Sequence, residues 1–159
     1  SAHLMEEKKS DTETFLAALE EQNGGPLEWR TYAFLLGASG DNNPRSLGGL
    51  LYVAADTLIF EDFERENALL GLLGRRKKYE KCKIEASLSS VAELRSVAAG
   101  EARRAINGKC EPNTLPVLSG IRKILEKRTE AVIFKDGTAW FFEMYDTEGL
   151  KKILKAELP

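Results

Sequence analysis

Histidine is nearly missing from this chain of 159 residues: the only one is His3. It sits in Ser1-Ala2-His3-Leu4-Met5, which reads as an expression scar before a start at Met5 and is set aside from functional argument. Histidine-based metal sites and Cys-His nucleophile pairs therefore have almost no support. Cysteine is scarce too. Cys82 and Cys110 make no disulfide framework, and a zinc site would need further ligands, so the expectation is two reduced thiols in a cytosolic protein. No apolar run approaches the roughly 20 residues needed to span a bilayer. No start has the charged-then-apolar layout of a signal peptide. Charge of one sign is also lacking. A net charge of −2 gives no global pull toward nucleic acid or anionic lipid, so such binding must rest on a local patch.

What is there is a globular composition, 43% hydrophobic and 30% charged, in a length that fits one domain or one domain plus a tail. The most informative stretch runs from Gly48 to Asp62. Two short apolar segments, rich in aromatic and branched residues, flank Ala55-Asp56, which predicts a β-hairpin approached through Gly48-Gly49. Trp29 to Ala38 is the preceding strand, and the turn formers of Ser39 to Ser46 make a loop. Tyr79 to Leu88 reads as a strand. Val91 to Ala98 is a strand or a short helix, because Val91, Leu94 and Val97 recur at spacing three. Ala131 to Phe134 and Ala139 to Tyr145 pair across an Asp136-Gly137 turn.

Three helices are expected. Ser10 and Glu13 form a capping box before Phe15, Leu16 and Leu19, and Asn23-Gly24-Gly25-Pro26 ends that run. Leu115 to Arg128 reads as an amphipathic helix with Leu118, Ile121, Ile124 and Leu125 on one face. Asp146 or Thr147 caps a closing helix, Glu148 to Leu158. Between Gly100 and Thr114 the pattern weakens. The order of elements predicts an α+β fold: a partly open antiparallel β-barrel of about seven strands, capped by the C-terminal helix, with N-terminal and inserted helices outside.

Three segments carry a family resemblance. The run from Gly49 to Phe60 resembles the "G-x-L-y-v-T-n-x-x-L-i-F" hairpin of GRAM domains, which belong to the pleckstrin-homology superfold. Ser87-Leu88-Ser89-Ser90-Val91-Ala92-Glu93-Leu94 resembles that family's "i-p-l-s-d-I-x-x-v" strand. Val132 to Gly137 with Trp140 to Glu143 resembles its last hairpin. Ala54 and Ala55 stand where the motif has Thr and Asn. The resemblance covers about Glu28 to Leu158 and divides the chain at residue 27, with residues 1–27 as scar and helix and 28–159 as the domain. Insertions fall near 64–78 and 100–129. It implies a non-enzymatic binding module, cytoplasmic or peripheral at a membrane, without cofactor or metal. A superfold hosts many roles, so the chemistry must come from particular residues.

The sharpest candidate for that chemistry is Arg75, Arg76, Lys77, Lys78, Lys81 and Lys83, six cations within nine residues. Such a run suits phosphate oxygens of an anionic phospholipid. Leu69, Leu70, Leu72 and Leu73 beside it suit insertion at the membrane interface or contact with a partner. The loop that many family members use for lipid is Ser39 to Leu47 here, and it offers only Arg45 opposed by Asp41. The basic helix Leu115 to Arg128 either lies on a membrane or in a partner's groove, or packs on the barrel with its charges in water.

The alternative role is a protein-interaction adaptor, or a self-associating scaffold, that holds a peptide or a second copy between a barrel edge and the terminal helix. Trp29, Trp140, Phe141 and Phe142 are expected in the core. Glu61, Asp62, Glu64, Glu143 and Asp146 fall at element ends, where surface charges or caps are expected, so no catalytic residue is assigned. Gly71 to Gly74 is not a phosphate loop, and the Lys/Arg run lacks the aromatic interleaving of a nucleic-acid platform.

Overall fold

In the computed structural model, which describes residues 13–63 and 82–157, the central hairpin forms as the sequence predicts. Strands β1 (Trp29–Ala38), β2 (Leu47–Ala54) and β3 (Thr57–Asp62) run consecutively. Ala55 and Asp56 both hold left-handed backbone, with φ of 49° and 61°. Two such residues in succession make a type I′ turn, whose twist matches that of the strands it joins. At the other end of the hairpin Gly49 lies opposite Asp62. A Cβ on Gly49 would collide with the Glu61 carbonyl and the Phe60 ring, so only glycine lets β2 and β3 close there.

Four more strands complete the sheet: β4 (Lys83–Ser87), β5 (Val91–Ala98), β6 (Arg128–Phe134) and β7 (Ala139–Met144). The seven lie in the order β4-β3-β2-β1-β7-β6-β5, and every neighbouring pair is antiparallel. The sheet is not closed; β4 and β5 are its two ends. It wraps around one core nonetheless. Ile84 and Ala86 from one end pack in the same cluster as Val91 from the other, with Leu51, Leu58, Phe60 and Phe142 between them. Val91 to Ala98 is thus a strand, and its bulge between Val91 and Glu93 breaks the simple period of two.

Among the described residues there are four α-helices: α1 (13–22), α2 (Ala99–Ile106) and α4 (Thr147–Glu157), which pack on this sheet, and the exposed single turn α3 (Arg122–Leu125). Leu150 and Leu154 of α4 enter the central core. The outer face of β2 and β3 is covered as well, by Phe15, Leu16 and Leu19 of α1 against Leu50, Tyr52, Ala54 and Ile59. Ala102, Ala105 and Ile106 of α2 cover the outer face of β6 and β7 through Ala131, Ile133, Ala139 and Phe141. Burial on both faces explains why these strands read as continuous apolar runs instead of alternating. The weak pattern after Gly100 has the same origin. Helix α2 buries mostly small residues, and a stripe of alanines gives little hydrophobic contrast.

The expected helix from Leu115 to Arg128 is not formed. Pro116 and Gly120, the latter at φ 61°, interrupt it, only the single turn α3 is helical, and Arg128 already belongs to β6. Its expected apolar face is split. Leu115 and Leu118 are buried, whereas Ile121, Ile124 and Leu125 are in solvent. The Asp136-Gly137 turn also differs in detail. Gly137 alone has positive φ, and Thr138 C=O accepts from Phe134 N–H, so the loop has three residues with glycine at the left-handed position.

Phe60, fully buried against Phe142 at a ring separation of 5.6 Å, joins the two halves of the sheet. Phe60→Ala is expected to cost about 3–5 kcal/mol, read as a lower urea midpoint at unchanged m-value.

Candidate functional site

One aspartate seats the C-terminal helix on the sheet. Asp146 is the N-cap of α4: its Oδ1 accepts from the Gly149 N–H at 3.0 Å. Its Oδ2 accepts from Trp29 Nε1 at 3.0 Å, and its own N–H donates to Thr31 Oγ1 at 2.9 Å, which ties the cap to β1. The Gly149 amide, then the Trp29 indole, hold the Asp146 carboxyl below the usual carboxylate range. Gly149 has no room for a side chain, since a Cβ would meet both Asp146 and Trp29.

Seated this way, α4 runs beside the first half of β5 and leaves a cavity of about 350 Å³ between them. Its floor is Leu88, Val91, Leu94 and Leu154; Lys135, Lys151 and Lys155 stand at its sides. The acid beside them, Glu93, is engaged by the guanidinium of Arg95, whose Nε donates to it at 3.1 Å. Lys151 reaches Glu148 at 3.4 Å. Lys135 and Lys155 have no carboxylate at ion-pair distance among the described residues. A second cavity of about 460 Å³ shares Lys135 and lies against Trp140, Phe134, Ala86 and Ser90. Trp140 is thus half-buried at a cavity, while Trp29, Phe141 and Phe142 are core as expected.

A second surface feature is the arm between α2 and β6. Ser119 to Arg128 are all exposed. Ile121, Ile124 and Leu125 are 71%, 83% and 74% exposed, and they share one side of the α3 turn by their i, i+3, i+4 spacing. Arg122, Lys123, Lys127 and Arg128 flank them in sequence, and Arg128 donates to the buried Glu130 of β6. Arg122 pairs with Glu126 at 3.0 Å and Lys127 with Glu143 at 2.7 Å; both pairs are solvated and so weak. Lys123 has no such partner among the described residues.

The carboxylates at the end of β3 are not surface charges as expected. Glu61 and Asp62 are only 3% and 1% exposed. Tyr52 donates its hydroxyl to Glu61 at 2.5 Å, and burial followed by that hydrogen bond pushes the Tyr52 phenol far upward. The nearby Cys82 thiol is likewise raised by burial, against the pull of Arg45, so it is a poor nucleophile. Asp41 does not oppose Arg45 through a salt bridge; it accepts from the Asn43 and Ala38 amides and shapes its own turn. Among the described residues no three His, Cys, Asp or Glu gather where a metal would bind.

Of the basic run, Lys83 lies on β4, where it pairs with Glu85 at 3.2 Å. Arg75, Arg76, Lys77, Lys78 and Lys81 lie outside the described residues, as do Leu69, Leu70, Leu72 and Leu73 and the carboxylate Glu64. The sequence reading missed Lys135, Lys151 and Lys155 because they are dispersed along the chain. Its one local signal is the i, i+4 pair Lys151 and Lys155 on a short helix. No helix among the described residues is long and apolar enough to cross a membrane. The architecture defines an open antiparallel seven-stranded sheet with a helix seated by its cap. No protein-family model and no curated protein matches this chain.

Because the Asp146 carboxyl is held low in the fold, its contribution is complete above about pH 4, the ordinary aspartate value, and is lost as pH falls through the lower native value. Chemical denaturation from pH 5 to 2 is expected to show a smaller loss in Asp146→Asn than in the parent. At pH 7, Asp146→Ala is expected to cost about 1 kcal/mol from the lost cap.

Proposed function

We propose that the chain is a non-enzymatic binding module of pleckstrin-homology-like type that docks on an anionic membrane surface. The observation that carries this reading is the arm: three aliphatic side chains held in water on one side of a helical turn, in a segment that also carries the exposed cations Arg122, Lys123, Lys127 and Arg128. Leaving isoleucine and leucine solvated forgoes roughly 1.5–3 kcal/mol each. Apolar insertion with cations at the phosphate level recovers that energy, which is how reversible interfacial anchors work. From Leu115 to Arg128 the chain carries four cations against one acid although its net charge is −2. The proposal thus moves the contact from Arg75–Lys83 to this second basic segment, with the earlier run free to add to it. A binding role also fits the buried carboxylates. Glu61, Asp62 and Glu130 line neither cavity.

Co-sedimentation with phosphatidylcholine vesicles, with and without phosphatidylserine, tests the reading. Binding is expected only with the acidic lipid, and it should weaken as salt rises. The double change Ile124→Glu and Leu125→Glu, at exposed positions, should reduce it about tenfold or more without altering the fold. Equal, negligible pelleting with both lipid compositions would remove the proposal.

A further inference from the structure

The second cavity, of about 460 Å³, lies between the end of β4, the turn that leads into β5 and the β6–β7 hairpin. Its volume is in the range of small-molecule pockets. Trp140 is its apolar wall, and Phe134 packs against that indole edge-on, at a ring separation of 4.7 Å and an interplanar angle of 74°. Such a perpendicular pair fixes the ring while leaving part of it in solvent. Ala86 of β4 adds to the apolar lining. The hairpin and the turn are tied to each other, since Lys135 N–H donates to Ser90 C=O at 2.8 Å. The cavity is thus bounded by elements whose backbones are fixed.

What the polar groups at this cavity can still offer follows from the bonds they already make. Ser90 donates its hydroxyl to Ser87 C=O at 2.6 Å, and Thr138 donates its hydroxyl to Asp136 Oδ1 at 2.6 Å. A hydroxyl has a single proton, so both side chains present lone pairs alone to a ligand. Asp136 is an acceptor as well; its Oδ1 also takes the Thr138 N–H at 2.9 Å, and its Oδ2 is a second acceptor. The side-chain donors are the Trp140 indole and the Lys135 ammonium, of which Lys135 alone is charged. A complementary molecule therefore carries a donor-rich cationic group, a carboxylate and an apolar body. We infer that the cavity binds a free α-amino acid with a large apolar side chain. Its carboxylate pairs with Lys135, its ammonium donates to the oxygens of Asp136 and Thr138, and its side chain lies against Trp140. The two charges at the rim have opposite signs, so Asp136 opposes a ligand that is only an anion and Lys135 one that is only a cation.

The test is isothermal titration calorimetry of the full chain with L-phenylalanine, L-leucine and L-methionine. Glycine lacks the apolar body, phenylpropionate the ammonium and phenethylamine the carboxylate, and these are the controls. At least one of the three amino acids should bind, and each control should bind about tenfold more weakly or worse than the best of them. Binding of an amino acid without an indole should shift the tryptophan emission of the protein, and Trp140→Phe should abolish the shift, because Trp29 is buried at the α4 cap. Lys135→Gln and Asp136→Asn should each weaken binding about tenfold with circular dichroism unchanged; asparagine keeps an acceptor for the Thr138 turn. No binding of any of the three at millimolar concentration overturns the inference. So does phenylpropionate or phenethylamine binding as tightly as phenylalanine, a comparison that uses the parent chain alone. Binding without a Trp140 response, or unaltered in both rim variants, overturns it equally. None of these results depends on the vesicle experiment, because the arm residues are untouched.

Discussion

The triangle of Asp146, Trp29 and Gly149 is the contact on which the groove between α4 and β5 depends. A helix laid across a sheet has rotational freedom unless something fixes its start. Here the N-cap carboxylate is shared between the first turn of α4 and the indole of β1, and the cap's own amide is bound by Thr31. The bonds run in different directions, so they set both the axis and the rotation of the helix. Leu150 and Leu154 then meet the core, and Lys151 and Lys155, one turn apart, stand beside β5. Gly149 is needed because the indole and the carboxylate already fill the space above its Cα.

Other described elements cover much of the remaining sheet. An open seven-stranded sheet exposes two edges and an outer face, and each is a risk for unwanted association. The β4 edge is short and carries Lys83 and Glu85, which blunts it. Helix α1 covers the outer face at β2 and β3, and α2 covers it at β6 and β7. The second half of the β5 edge is met by the loop at Leu118. Among the described residues the first half of β5 and the arm at Ile121 to Leu125 stay uncovered and combine apolar residues with cations; Tyr32, Phe34 and Tyr145 are exposed elsewhere.

Much of the scaffold was legible in the residues because local and tertiary preferences agree there. The β2–β3 hairpin is marked by two apolar runs around a two-residue turn, the Asp136-Gly137 turn by its own residue types, and the α4 start by a capping aspartate. The misreadings occur where one signal stood for another physical cause. Leu118 and Ile121 share the spacing of a helix face, but Gly120 lies between them at positive φ, so one is anchored and the other released. Glu61 and Asp62 look like charges at a strand end. Both are buried, and Tyr52 brings a hydroxyl to Glu61 within the sheet, a cross-strand partner that cannot be read from neighbouring residues. The candidate groove was the least legible feature. Its cations come from a hairpin turn and a helix, and they meet only after the sheet has wrapped.

Charge bookkeeping in space, rather than in sequence, gives the chain its character. Its net charge is −2, which by itself argues against anionic partners. Yet several acids among the described residues are engaged within the fold. Glu61 accepts from Tyr52, and Glu130 accepts from Ser96 and Arg128. Asp41 and Asp136 shape turns, Asp146 caps a helix, and Glu93 is held by Arg95. Of the cations at the groove and on the arm, Arg122, Lys127, Arg128 and Lys151 each meet a carboxylate, whereas Lys123, Lys135 and Lys155 are engaged by none among the described residues. A carboxylate used as a cap or a turn acceptor stays near its partners, so its field outside is reduced, whereas a solvated lysine on a flexible stem presents its charge outward. Unpaired cations thus stand beside apolar side chains at these two places even though the sum over the chain is negative.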